Sequence, residues 1–262
     1  MSRVGRILAA SRAGWHSFLR RRTAVFFTFF FPAIIVVIFG ALVETRPTGG
    51  GLFAEPAGWY IAGYLAVVVL FTPLSRVGSE VARHREGNQF EKLATTPLRR
   101  WEWLLAQTAV NTVVIGLASL LLLALLVATT GAQLATSPAT ALVVPFVVVG
   151  VALFCAVGAM LGSLADSQDG AVAASNSLAL PLVFLSEAFV PRELLPAWLP
   201  VELSPLTHFS RGVRAVTYVE GNGGAAVPDV WPVADVYAYL LVLTAFAIVG
   251  FVVAARLLPR TD

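Results

Sequence analysis

Residues 103–129 read WLLAQTAVNTVVIGLASLLLLALLVAT, an apolar run that contains no charged residue. A helix needs about 20 mainly apolar residues to cross the hydrocarbon core of a bilayer, so this run is long enough to span a membrane. The whole chain has the same character, because 58% of its 262 residues are hydrophobic and only 13% are charged. A typical soluble domain carries about 25% charged residues. The composition therefore predicts an all-α membrane protein that forms one compact domain with several membrane spans.

Five further apolar runs flank this one, separated by stretches that are rich in charge, proline or glycine. Each run is close to the length that a membrane-spanning helix requires. The chain is therefore predicted to have six spans, which places both termini on the same side of the membrane. The predicted spans are residues 23–43, 59–79, 103–129, 140–164, 171–190 and 236–257.

Residues 1–22 have a different pattern, in which arginines alternate with apolar residues such as Val4, Leu8, Trp15 and Phe18. That helical spacing predicts an amphipathic helix lying in the membrane interface, with its arginines toward the headgroups. A signal peptide is the competing interpretation. It is disfavoured because no short apolar run with a small-residue cleavage site follows.

Basic residues indicate the orientation, because lysine and arginine in short loops are retained in the cytoplasm. With the N-terminus inside, most of the 18 basic residues fall on the cytoplasmic side. Both termini are therefore expected in the cytoplasm. The basic residues on the opposite side are Arg46, Arg192, Arg211 and Arg214.

Several chemistries have no motif in this chain. The single lysine, Lys92, follows Glu91, so there is no glycine-rich phosphate loop ending in Gly-Lys-Ser/Thr. The three histidines lie in separate segments without an HExxH pair, and Cys155 is the only cysteine. The spans hold almost no ionisable side chain of the kind that proton relays use. We therefore expect no cofactor, metal or nucleic acid to bind this chain, and we expect a separate subunit to supply the driving energy.

Two segments between the spans hold candidate functional residues. Residues 80–102 read EVARHREGNQFEKLATTPLRRWE. They form either a solvated loop or an amphipathic helix whose Phe90 and Leu93 insert into a groove on a partner. Residues 191–214 are rich in both proline and leucine, and side chains such as Trp198 are too apolar to sit in water. The second segment is therefore predicted to be a re-entrant helical hairpin on the outer side, buried either in the edge of the bilayer or against other spans.

Arg211 and Arg214 in this second segment need counter-charges if they are buried. The acidic residues nearby are Glu187, Glu193 and Glu202. The sequence leaves open whether these arginines form structural ion pairs or contact a substrate.

These features resemble the membrane subunits of type-2 ATP-binding cassette (ABC) exporters, which export drugs, lipids and polysaccharides. One block that carries the resemblance is FLSEAFVPRELLPAWLP at residues 184–200, followed by Pro205-Leu206-Thr207 and Arg214. The other is Arg85-Glu86-Gly87 with Glu91, Leu93, Thr96 and Pro97. Glu187 stands where the family usually has glycine.

The resemblance implies a permease subunit that works as a dimer with two ATP-binding subunits, which would hold the ATP and Mg²⁺. Residues 80–102 would be the cytoplasmic coupling helix, and the chain would lie in the plasma membrane of a prokaryote. The substrate would be a drug, a lipid or a glycan, with a role in multidrug resistance among the possibilities. A non-transport membrane protein, either a scaffold or an intramembrane enzyme, is the alternative.

Three sets of residues follow from this interpretation. The candidates for coupling to the ATP-binding subunit are Arg85, Glu86, Gly87, Phe90, Glu91, Leu93, Thr96 and Pro97. The candidates for outer gating are Pro191, Pro196, Trp198, Leu199, Arg211 and Arg214. The candidates for lining an export pathway are Phe27, Phe30, Phe31, Tyr60 and Tyr64.

Overall fold

A computed structural model describes residues 2–38, 55–130, 135, 138–218 and 234–258. Within these ranges the chain forms nine α-helices and no strand, so the predicted all-α fold is confirmed. The helices are α1 (Arg3–Arg20), α2 (Arg22–Val36), α3 (Ile61–Glu86), α4 (Gln89–Ala94), α5 (Arg100–Thr130), α6 (Val143–Leu164), α7 (Gln168–Phe184), α8 (Pro205–Thr217) and α9 (Ala234–Leu257). Short 3₁₀ helices cover Ala57–Tyr60, Pro138–Leu142, Arg192–Leu194 and Val201–Leu203.

Among the described residues, four helical stretches are long and apolar enough to cross a membrane. They are Ala57–Glu86, Arg100–Thr130, Pro138–Leu164 and Asp235–Leu257. The helices in the other two predicted spans, α2 and α7, are shorter, and residues 39–43 of the first predicted span lie outside the described residues. Apolar side chains such as Leu120 on α5 and Leu241 on α9 are exposed, as lipid-facing residues would be. The chain is a membrane protein, and its six-span topology stays a prediction.

Helix α3 is the centre of the fold, since most of its residues from Ile61 to Ala82 are buried against other helices. It packs most closely on α6, where glycines let the two backbones approach. A Cβ atom added at Gly162 would lie 2.2 Å from the carbonyl oxygen of Gly78, so no larger residue fits there. Close packing through small residues is typical of helices in membranes.

Helix α1 lies along the first half of α5. The guanidinium of Arg6 pairs with Glu102 at the start of α5, with Nη2 2.5 Å from Oε1. Further along, Phe18 is buried against Val110 and Val114. Val4 and Leu8 remain exposed on α1 and provide an apolar surface of the kind that an interfacial helix needs.

Candidate functional site

The predicted coupling segment, residues 80–102, belongs to three helices. Helix α3 continues through Glu86, and the short helix α4 begins at Gln89. Between them Asn88 has a left-handed backbone with φ 49°. Asparagine tolerates that conformation better than most residues, so the chain turns here. The prediction of one separate charged helix is therefore wrong for residues 80–86, which are the last turns of α3.

Arg85, on the last turn of α3, holds the end of α6. Its guanidinium Nη1 donates hydrogen bonds to the carbonyl oxygens of Ser163 at 2.9 Å and Ala165 at 2.7 Å. The last carbonyls of a helix have no partner within the helix and carry partial negative charge. Arg85 thus caps the C-terminus of α6.

Glu86, the next residue, holds the start of α7. The backbone N–H of Gln168, the first residue of α7, donates to Glu86 Oε1 at 2.8 Å. A carboxylate at a helix N-terminus satisfies a free N–H and is favoured by the helix dipole. We call Arg85, Glu86, Ser163, Ala165 and Gln168 the α3–α6–α7 junction, because together they join one end of each helix.

Phe90 on α4 is a core residue of this chain. It is 7% exposed, and its ring lies 5.4 Å from the ring centroids of both His84 and Trp103. The prediction that Phe90 inserts into a partner's groove is therefore wrong, because its own chain already covers it. Leu93 also packs partly against the core.

Other predicted coupling residues are exposed. Four of them are exposed to solvent on the surface of the chain: Gly87, Glu91, Thr96 and Pro97. The hydroxyl of Thr96 donates to the carbonyl oxygen of Leu93 at 2.6 Å and closes the turn after α4. Glu91 therefore lies on a surface that a partner can reach.

Sequence reasoning placed no role on Glu102, which is fully buried where the segment enters α5. Its Oε2 accepts hydrogen bonds from Arg6 Nε at 3.0 Å and from the backbone N–H of Arg99 at 2.9 Å. Glu102 thereby joins α1 to the coupling segment. The signal in the sequence is an acidic residue directly before a long apolar run.

The predicted outer re-entrant segment contains one regular α-helix, α8, preceded by two single-turn 3₁₀ helices. Pro191 and Leu195 are buried and Leu199 is partly buried, whereas Pro196 is exposed. Trp198 is 80% exposed, so among the described residues no helix covers it. Its predicted burial against other spans is therefore not seen there, and burial in the edge of the bilayer stays a prediction.

Arg211 on α8 is paired with two of the three predicted counter-charges. Its Nε donates to Glu187 Oε2 at 2.7 Å, and its Nη2 donates to Glu187 Oε1 as well. Glu202 Oε1 lies 3.4 Å from the same Nη2. Arg211 and Glu187 are both buried, so this is a two-point ion pair inside the protein.

Arg214, one turn further along α8, bonds the backbone instead of a carboxylate. It donates to the carbonyl oxygens of Glu187 at 2.6 Å and Trp59 at 3.3 Å, and its guanidinium lies 3.5 Å from the centroid of the Trp59 ring. The turn that accepts these bonds also touches α3, because a Cβ atom at Gly63 would lie 2.4 Å from the carbonyl oxygen of Ala188. The close approach between this turn and α3 therefore occurs at Gly63. Residue 187, where the family usually has glycine, is a glutamate.

The predicted pathway residues do not form one lining. Phe27 faces a groove between α2, α3 and α7, whereas Phe30 is exposed and stacks on Phe26 at 4.4 Å. Tyr60 and Tyr64 are instead buried against Phe189. The side chain of Phe31 lies outside the described part of the structure.

Comparison with known proteins identifies the family. The profile of the ABC-2 type transporter family matches residues 6–218, which include the α3–α6–α7 junction and α8. This chain belongs to the ABC-2 type transporter family. The predicted relationship to type-2 ABC permeases is confirmed. Within the described ranges, no group of three or more His, Cys, Asp or Glu side chains is placed to hold a metal ion.

Two relatives of this ABC-2 protein have curated names. The inner membrane transport permeases YhhJ of Escherichia coli (strain K12) and Shigella flexneri are each 28% identical to it over 187 residues. The alignment covers 68% of this chain and 47% of each relative. The chain therefore spans about half the length of the curated relatives that it matches.

Proposed function

We propose that this chain is the membrane-spanning subunit of an ATP-driven exporter in the plasma membrane of a prokaryote. Two copies, each with six spans and cytoplasmic termini, would work with two ATP-binding subunits that hold ATP and Mg²⁺. The cargo would be an amphipathic or lipid-like molecule such as a drug, a lipid or a glycan. Family membership and four helices of membrane-spanning length support this proposal.

The observation that carries the proposal is the α3–α6–α7 junction. A force applied near the end of α3 reaches α6 through Arg85 and α7 through Glu86, because both contacts are direct hydrogen bonds. The partner itself would bind the exposed side of α4 and the following turn, at Glu91, Thr96 and Pro97. In this scheme Phe90 fixes α4 to the core, so that α4 and α3 move together.

The outer end of α7 is also held. The turn after α7 contains Glu187, which pairs with Arg211 on α8, and its carbonyl oxygens accept bonds from Arg214. A tilt of α7 that begins at Glu86 would therefore reach α8 and the turns at residues 191–204. Alternating access needs such a link between the inner and outer ends of the same helix. We infer that Trp198 and Leu199 meet lipid or the second copy, which would place the outer gate at this surface.

The test uses the permease purified from its native host with any bound subunits and reconstituted in liposomes. The proposal predicts that an ATP-binding subunit co-purifies and that ATP drives translocation of fluorescently labelled phosphatidylglycerol, used here as the amphipathic probe. A catalytically dead ATP-binding subunit is the matched control and should abolish translocation. A permease that co-purifies with no ATPase would contradict the proposal.

A further inference from the structure

A groove of about 840 Å³ opens between α1, α2, α3, α5 and α7. It is separate from the α3–α6–α7 junction and from the cluster around Arg211. Its walls combine three charged side chains with hydroxyl, amide and apolar groups. The charged side chains are Arg21, Arg76 and Glu80.

Arg76 is unusual because it is the single charged residue of the predicted span 59–79. Its Nη1 is buried and has no hydrogen-bond partner among the described residues, and its guanidinium stacks on Phe18 at 4.3 Å from the ring centroid. A buried donor without a partner is costly, more so when it carries a charge. An ionisable side chain at membrane depth normally marks a binding site or a transport path.

The other charges at the groove leave its lining positive. Glu80 is already engaged, because it accepts hydrogen bonds from Arg21 at 3.3 Å and from Arg83. Arg76 thus lines the groove without a carboxylate partner among the described residues, and an anion in the groove would balance its charge.

The groove changes from polar to apolar along its length. Helices α2 and α7 run away from the end that holds Arg21, whereas α3 runs toward it, so Arg76 and Glu80 lie near that end. Phe27, Phe71 and Leu180 line the opposite end. Leu180 and Phe27 are exposed, so the apolar end is open toward the side of the chain. A molecule with a charged head and a hydrocarbon tail matches this arrangement.

We propose that this groove binds the phosphate headgroup of an anionic amphiphile, with Arg76 as its main anchor and the hydrocarbon chain along Phe27, Phe71 and Leu180. Arginine suits this role because its planar fork of N–H groups matches the oxygens of a phosphate. Only the further step, that the bound amphiphile is the exported cargo, rests on the proposed function.

Binding is tested on the reconstituted complex in phosphatidylcholine nanodiscs by titration with fluorescently labelled phosphatidylglycerol. We expect Arg76→Gln to weaken binding about tenfold, the effect of losing one charged hydrogen bond. Arg12→Gln is the matched control, because Arg12 is exposed on α1 away from the groove, and it should leave binding unchanged. Arg76→Lys keeps the charge without the fork and should give an intermediate affinity.

Three results would overturn the proposal. They are equal binding by wild type and Arg76→Gln, equal binding of labelled phosphatidylcholine, and full competition by inorganic phosphate at the concentration of the lipid. A change of oligomeric state in Arg76→Gln without a change in lipid affinity would assign the groove to a second copy and would also overturn it.

Two further measurements on the same samples distinguish failure of the groove proposal from misfolding and from failure of the exporter proposal. Removing an unpartnered charge should leave the melting temperature of Arg76→Gln equal to or above that of wild type, which excludes misfolding as the cause of lost binding. ATP hydrolysis shows whether the exporter proposal holds. A complex with active ATPase but no phosphatidylglycerol site contradicts the groove alone, and a chain without ATPase that binds this lipid through Arg76 contradicts the exporter alone.

Discussion

Glu187 and Arg211, 24 positions apart, form a buried two-point ion pair that fastens the turn after α7 to α8. The same glutamate supplies its backbone carbonyl to Arg214. At the other end of α7, the first backbone N–H is held by Glu86 of α3. Helix α7 is therefore held at both ends by contacts with other helices.

Glu187→Gln should destabilise the protein by about 3 kcal/mol, because it leaves the charge of Arg211 buried beside a neutral amide. Thermal unfolding of the purified protein measures the effect. Glu202→Gln is the control, since the side chain of Glu202 is 58% exposed and an exposed pair contributes less than about 1 kcal/mol. Equal losses in the two variants would show that the buried pair has no special weight.

Gly63→Ala should lower stability, because its new Cβ would lie 2.4 Å from the carbonyl oxygen of Ala188 and would push the turn after α7 away from α3. Gly116→Ala on α5 is the matched control. Beyond the local backbone of α5, none of the described residues has an atom within 4 Å of a Cβ built there, so alanine should stabilise that helix by up to about 1 kcal/mol. Melting temperatures of the two variants measure the effect. A shift of both melting temperatures in the same direction would contradict the close approach at Gly63.

Phe90→Ala should destabilise the chain by about 3 kcal/mol through loss of its contacts with His84 and Trp103. Binding of the ATP-binding subunit to the variant that remains folded should be unaffected, because the ring is covered by its own chain. Co-purification yield divided by the folded fraction is the measurement. If Phe90→Ala kept normal stability but no longer bound the ATP-binding subunit, Phe90 would be a contact with that subunit after all.

The case of Phe90 shows where sequence reasoning succeeds and where it stops. The apolar runs predicted an all-α membrane protein because length and composition are local properties. An aromatic residue in a charged segment was interpreted as a contact with a partner, because the sequence does not show that Trp103 and His84 lie beside it. Similarly, Arg85 and Glu86 were recognisable as a motif, but their partners lie 80 and 82 positions away.

Trp198 and Arg76 also show that the sequence does not predict which side chains are buried. Trp198 was predicted to be buried in the bilayer edge or against other spans because of its apolar surface, and none of the described helices covers it. Arg76 drew no attention among the other arginines, and only the structure shows that its buried Nη1 lacks a hydrogen-bond partner among the described residues. Burial depends on which segments meet in space, which a single sequence does not give.

The predicted orientation can be tested with a reporter fused after Asp262. Both termini are expected in the cytoplasm, because only four of the 18 basic residues lie on the opposite side of the predicted topology. A fusion with alkaline phosphatase should be inactive, and the matched fusion with green fluorescent protein should fluoresce. The reverse pattern would place the junction and α4 outside the cell, where an ATP-binding subunit could not reach them.

The most direct test of coupling through the α3–α6–α7 junction is the number of labelled phosphatidylglycerol molecules translocated per ATP hydrolysed in proteoliposomes. This ratio is compared between Glu86→Gln and Glu91→Gln. Glu86→Gln weakens the bond to the N-terminus of α7 and leaves the exposed face of α4 unchanged. We expect it to keep its ATP-binding subunit and its ATPase activity while translocating several-fold less lipid per ATP. Glu91→Gln should instead weaken partner binding and preserve the ratio in the complexes that form. A Glu86→Gln complex with the wild-type ratio would contradict the role of the α3–α6–α7 junction in coupling.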